Sequence, residues 1–173
     1  LPICKSTLAA GVGLYLLAAD REPGAEVYTA ATKRDQARIV HTEAIQMVRR
    51  SPDLQRYIQV FKDNLSMIRT ASRYTPLGAD ADTMDGLNVH GAIIDELHAH
   101  KTRHLWDVLE TATGARRQPL IFAITTAGYD RHSVCWQQHD YGEKGLDGVI
   151  ADDACFPFIA SRSEEHTSEL QSR

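Results

Sequence analysis

Cysteine is scarce in this chain. Its three residues, Cys4, Cys135 and Cys155, are far apart and odd in number. They form no metal-type pair and point to reduced thiols in a cytosolic setting. Long apolar runs are also missing, and no segment is apolar for long enough to span a membrane. The greasiest stretch, Leu8 to Ala19, is short and carries two glycines. Lys5 ahead of it gives a passing likeness to a signal peptide, but the chain opens on Leu1-Pro2 rather than Met. Asp20-Arg21-Glu22 then follows where small cleavage-site residues would be needed, so the stretch reads as a buried helix. Positive charge is not in excess: 19 Lys and Arg against 23 Asp and Glu leave a net charge of −4. Bulk charge therefore predicts no nucleic-acid affinity and leaves room only for a local basic face. No HExxH and no internal repeat are present.

What is present suffices for one domain with a sizeable core in 173 residues. The expected boundaries are a domain over 1–160 and a disordered or artefactual tail over 161–173. That tail, "SRSEEHTSELQSR", has almost no apolar content and no period, and it is similar to translated adapter sequence.

Periodicity and breakers give an alternating order of elements. Ser6 to Ala19 reads as a helix ended by Pro23-Gly24, and "EVYTAAT" as a short buried strand. "KRDQARIVHTEAIQMVRR" follows as a helix with Ala37, Val40, Ala44, Met47 and Val48 on one face. "DLQRYIQVF" adds a short helix after Ser51-Pro52. "LSMIRT" and "SRYTPL" make a hairpin, and "GADADTMDGLN" a polar loop. "VHGAIIDE" is an apolar run ending in two carboxylates, the pattern of a fully buried parallel strand. "HLWDVLETATGARR" is a helix ended by Gly114, "QPLIFAITTAG" another buried strand, and "SVCWQQHDYGEKGL" another helix. The expected fold is α/β with a largely parallel sheet and flanking helices.

In such sheets ligands sit beyond the carboxyl ends of the strands. Three polar clusters are expected there: Lys5-Ser6-Thr7 opening the first helix, Asp95-Glu96, and Thr125-Thr126. A phosphate loop ends in Gly-Lys-Ser or Gly-Lys-Thr because the lysine reaches phosphate oxygens, the hydroxyl binds magnesium and the helix N-terminus favours anions. Lys5 and Ser6 stand where those roles require, although Lys-Ser-Thr is equally an ordinary helix start. "AIIDE" supplies a carboxylate for magnesium, Asp95, and a neighbour able to activate water, Glu96. A strand that merely ends in acidic loop residues reads the same way. Thr125 and Thr126 could sense a γ-phosphate or simply lead into a glycine turn.

Other residues leave alternatives open. His98, His100 and His104 lie close together beside two carboxylates; they suit surface or capping roles, or a metallohydrolase site that includes Asp95. Arg34 and Arg38, one turn apart, could contact a nucleic-acid backbone or form a solvated face. Arg69 and Arg73 are candidates for an arginine finger acting on a neighbouring subunit.

"KSTLAAGVGLYLLAADREPGAEVYTAATKRDQARIVHTEA", "DADTMDGLNVHGAIIDELHAHK" and "LIFAITTAGYDRHSVCWQQHDYGEKGLDGVIADDACFPFIA" closely resemble the large terminase subunit of tailed phages, over nearly all of Lys5 to Ala160. The resemblance implies a P-loop NTPase-like fold and the ATPase domain of a motor that packages double-stranded viral DNA into the capsid. By position, Lys5 and Ser6 match the Walker A lysine and magnesium-binding hydroxyl, and Thr7 the next helix residue near the α-phosphate. Asp95 and Glu96 match the Walker B aspartate and catalytic glutamate, and Thr125 and Thr126 fall in the motif that couples hydrolysis to movement. ATP as substrate and Mg2+ as cofactor follow from the resemblance. So do a homo-oligomeric ring, portal and small terminase subunit as partners, and a place in the host cytoplasm at the procapsid portal. The family has a strand and glycine-rich loop before the Lys-Ser and a nuclease domain after the motor. Here "LPIC" stands before it, so the expectation is a motor-domain fragment cut at both ends. The competing expectations are the metallohydrolase and a catalytically inactive nucleic-acid-binding fragment.

Overall fold

The computed structural model describes residues 3–78, 86–126, 128 and 130–160. The expected tail, and Ala79 to Asp85 of the polar loop, lie outside the described residues.

Helix α1 (Ile3–Ala18) leads into strand β1 (Glu26–Ala31) and helix α2 (Arg34–Arg50). A short helix α3 (Pro52–Gln55), with Ser51 Oγ accepting the Leu54 N–H at its start, precedes strands β2 (Gln59–Val60), β3 (Leu65–Met67) and β4 (Ser72–Gly78). Strand β5 (Val89–Asp95), helix α4 (His104–Thr111), strand β6 (Leu120–Ile124) and helix α5 (Val134–Leu146) complete the order. The strands form one sheet in the order β2-β3-β4-β1-β5-β6. Its β4-β1-β5-β6 portion is parallel, and β2 and β3 are antiparallel. The expected α/β architecture and the β3–β4 hairpin are both present.

Side chains alternate across the sheet with a period of two, which creates two apolar layers. Val27, Tyr74 and Ile93 pack with Leu14, Leu17, Val40, Ala44 and Val48 from α1 and α2. On the other face, Tyr28, Ala30, Ala92 and Ile94 meet Leu105 and Leu109 of α4 and Val134 and Cys135 of α5. The Leu8 to Ala19 stretch is therefore a core helix, and no helix among the described residues is long and apolar enough to cross a membrane.

Three expectations change. β6 is half-exposed rather than buried, because as the last strand of the sheet it pairs on one side only. α4 stops at Thr111, before Gly114, because the Thr111 and Thr113 hydroxyls bond back to the Asp107 and Glu110 carbonyls and compete with the helical ladder. "DLQRYIQVF" is helical only to Gln55, after which Gln59 and Val60 pair with β3.

Two glycines set how closely α1 lies on the sheet. A Cβ on Gly13 would meet the Tyr74 ring at 2.7 Å, and one on Gly91 would meet Leu16 Cδ1 at 2.6 Å. Tyr74 cannot retreat: it is fully buried, its hydroxyl accepts from Thr29 Oγ1 at 2.6 Å, and His41 packs edge-on against it. At the opposite end of the parallel strands Arg116 donates to the carbonyls of Gly24 and Asn88, tying the β1 and β5 entries together.

Two outcomes test this packing. Gly11→Ala, where a Cβ meets nothing within 4 Å, should raise stability by about 0.5–1 kcal/mol. Gly13→Ala should lower it by about 1–3 kcal/mol despite the same gain in helix propensity, as read by denaturant unfolding. Burial also holds the His41 pKa below its ordinary value of 6.5, with its Nε2–H donated to the Tyr74 carbonyl. The unfolded chain then takes up the proton first, so stability is fully present above pH 6.5 and is lost as pH falls through the depressed folded value. Melting temperatures measured across that range should show the decline, and His41→Gln should flatten it.

Candidate active site

Parallel pairing brings the chemical groups together at the carboxyl ends of the strands. In the β5–β6 register Asp95 stands beside Ile124, so Glu96 and Thr125, the next residue on each chain, emerge side by side. α1 runs back against the sheet and presents Lys5, Ser6 and Thr7, all half-buried, from its first turns.

Asp95 ends β5 and is only 8% exposed. Burial, and next the neighbouring Glu96 charge, raise its pKa above the ordinary 3.8. The Glu96 N–H donated to Asp95 Oδ1 at 2.9 Å, then the Lys5 ammonium, then His98, oppose that rise. Lys5 is thus near enough for its charge to act on the carboxylate. A carboxylate whose ionisation is held back by burial is one that a divalent cation would favour. With the Ser6 hydroxyl at the same end, the hard oxygen donors suit magnesium.

Glu96 has φ 53° and ψ 51°, the left-handed region that a non-glycine side chain adopts at a cost of about 1–2 kcal/mol. That turn swings its carboxylate, 32% exposed, toward His98, whose Nδ1 lies 3.1 Å from Glu96 Oε2. His98 also faces the tip of β6. Its backbone N–H donates to Thr125 Oγ1 at 3.1 Å, and its Nδ1 lies 3.0 Å from the same oxygen and 3.3 Å from Thr126 Oγ1.

The three histidines do not converge, and among the described residues no group of three or more His, Cys, Asp and Glu could hold a metal ion. His100 is buried and tied to the Asp95 backbone, with a lowered pKa caused mainly by burial. His104 is exposed at the start of α4. The surface-or-capping expectation therefore holds for His104 and for the cap position of His100, but His100 is not on the surface. The metallohydrolase expectation loses its ligand set.

The arginines are dispersed. Arg34 is exposed at the start of α2, while Arg38 is paired with Asp63 at 3.0 Å and Asp35 at 3.7 Å. Arg69 is exposed on a 3-10 turn, and Arg73 pairs with Glu26 at 3.0 Å where β4 begins. β4 and β5 run in one direction, so Arg73 lies at the opposite end of the sheet from Asp95. Sequence reasoning missed the His98 bridge. Its one signal was a histidine two residues past a strand-end carboxylate, without the register that puts the threonines beside it.

A parallel sheet with a helix start, a buried aspartate and a glutamate gathered at its carboxyl edge is the arrangement of a P-loop NTPase-like ATPase. Residues 3–144 match the family "Terminase large subunit, ATPase domain", and the chain belongs to that family. Among curated proteins it is 40% identical over 80 residues to Protein YmfN of Escherichia coli K12, covering 46% of this chain and 18% of that protein. It is 30% identical over 127 residues to the terminase large subunit of Enterobacteria phage HK97, covering 70% of this chain and 25% of that protein. The chain thus spans a quarter or less of the length of these relatives. The crystal structure of the HK97 bacteriophage large terminase superposes with a TM-score of 0.72 at 25% identity, over 87% of this chain and 31% of that one.

Asp95 offers a test of the site's electrostatics. A raised aspartate pKa contributes stability that is present below the ordinary value and lost as pH rises through the folded value, so at neutral pH the ionised side chain destabilises. Asp95→Asn should raise the melting temperature at neutral pH. The gain should shrink as pH falls toward 3.8.

Proposed function

We propose that this chain binds and hydrolyses Mg-ATP, as part of a terminase large subunit that drives double-stranded viral DNA into a capsid. The observation that carries the reading is that the charge of Lys5, at the start of α1, acts on the buried Asp95 at the end of β5. Membership of the ATPase-domain family supports it.

The roles follow from charge and position. Lys5 would neutralise phosphate charge, with the α1 N-terminus adding the favourable end of its dipole and Thr7 standing on the next position of the helix. Ser6 and Asp95 would hold the magnesium ion, which when bound offsets the negative charge of the phosphates. Glu96 would orient the attacking water and accept its proton. Its carboxylate is held out of the β5 line by the left-handed turn and remains open to solvent. Thr125 and Thr126 would report the state of that carboxylate to the rest of the domain.

In the whole protein this chemistry would serve a homo-oligomeric ring acting with the portal and the small terminase subunit at the procapsid in the host cytoplasm. Arg34 is the better placed of the two candidate DNA contacts, because Arg38 is paired with two aspartates on its own surface.

Calorimetric binding and steady-state turnover of Mg-ATP by this chain test the reading. Glu96→Gln should lower kcat by about 10²–10⁴-fold while leaving nucleotide binding in place. Lys5→Ala should weaken binding by about tenfold or more. A folded chain with no nucleotide affinity, or one indifferent to Lys5, would sink it.

A further inference from the structure

His98 occupies a position that neither metal binding nor a surface role explains. One ring nitrogen, Nδ1, stands within 3.1 Å of the Glu96 carboxylate and 3.0 Å of Thr125 Oγ1. The proton on this contact can be assigned. A carboxylate only accepts, and Thr125 Oγ1 donates its own hydrogen to the Thr126 carbonyl at 2.9 Å. The hydrogen facing the carboxylate therefore belongs to Nδ1, and His98 gives two donors to this cluster: its backbone N–H to Thr125, and Nδ1–H shared among Glu96, Thr125 and, at 3.3 Å, Thr126 Oγ1.

The backbone around the bridge is closely packed. A Cβ on Gly128 would lie 3.2 Å from the His98 Cβ, and the Cys135 thiol of α5 approaches Thr125 Oγ1 at 3.8 Å. The bridge spans two adjacent strands, since Glu96 follows β5 and Thr125 follows β6.

We propose that His98 is a positioning residue that ties the Glu96 carboxylate to the hydroxyls at the tip of β6, so that displacing either one displaces the other. The inference rests on the ATPase reading for its consequence, but its geometry stands without nucleotide. A free Glu96 in a left-handed turn would sample several carboxylate directions, and Nδ1–H selects one of them. By reciprocity, whatever shifts Glu96 must perturb Thr125 with the same free energy. The chain of contacts is short and contiguous, which makes the linkage testable by a double-mutant cycle.

Two readouts separate this proposal from the ATPase reading. In the nucleotide-free chain labelled with 15N-histidine, the His98 imidazole should show a protonated, hydrogen-bonded Nδ1 whose resonance moves on Glu96→Gln and again on Thr125→Val. An imidazole indifferent to both substitutions would overturn the proposal, whatever the chain does with ATP. In turnover, His98→Ala should lower kcat by about 10- to 100-fold with KM held within about twofold, and His98→Asn, which keeps an N–H donor near the Nδ1 position, should recover most of the loss. In a Thr125→Val background the same His98→Ala change should cost far less. Additive losses, a rise in KM alone, or failure of asparagine to rescue would overturn it. A wild-type chain that neither binds nor hydrolyses nucleotide would instead defeat the ATPase reading, leaving the imidazole spectrum to decide the His98 tie.

Discussion

The close seating of α1 on the sheet is the constraint from which the rest follows. A helix packed over β1 and β5 with ordinary side chains at its contact would stand farther away. Gly13 over the Tyr74 ring and Gly91 beneath Leu16 remove the two Cβ atoms that would hold it off. The register of a helix is rigid, so what Gly13 settles in its middle also settles where Lys5 falls at its start. Tyr74 completes the seat because Thr29 and His41 fix it within the core. A packing contact distant from any chemistry thereby helps set how strongly the Lys5 charge acts on a buried carboxylate.

The site accepts two local costs. Asp95 is buried next to a second carboxylate, and Glu96 sits in a backbone region that favours glycine. Neither helps the fold, and Lys5 with the Glu96 N–H only partly offsets the first. The opposite end of the strands is different in kind. There Glu26 binds Arg73 and Tyr28, Arg116 caps the Gly24 and Asn88 carbonyls, and His90 pairs with Asp20 at 2.7 Å. The charged groups named at that pole are paired within the protein. At the carboxyl pole the cationic and anionic groups lie together with capacity left over, as expected where a ligand supplies the missing partner.

Much of this was legible in the sequence because it rests on local patterns. The all-buried run Val89–Asp95 reads as a central parallel strand from its unbroken apolar content, and the Ala37–Val48 stripe reads as the inner face of α2. Lys5, Asp95 and Glu96 stand out in the sequence as candidates because the ends of those elements are where chemistry collects. What escaped was non-local. "QPLIFAI" carries the composition of a central strand, and nothing within it reveals that only one of its edges is paired. The three histidines invited a metal reading by proximity in sequence. The 3-10 turn after Glu96 sends them apart: His98 to the tip of β6, His100 inward beneath Asp95.

On the proposed ATPase reading, that divergence also bears on how a change at a bound nucleotide would be transmitted. β5 and β6 are held in register along five residue pairs, Gly91–Leu120 to Asp95–Ile124, and a packed sheet resists sliding. Motion between the two strand tips must therefore come from the residues just past the last pair, where the ladder ends and side chains take over. Glu96, His98 and Thr125 are those residues. His100 is hydrogen-bonded to the backbone of Asp95 behind them. On the proposed reading, a stiff sheet ending in a polar bridge would pass a small displacement sideways from one strand to the next, which a flexible loop in the same place would dissipate.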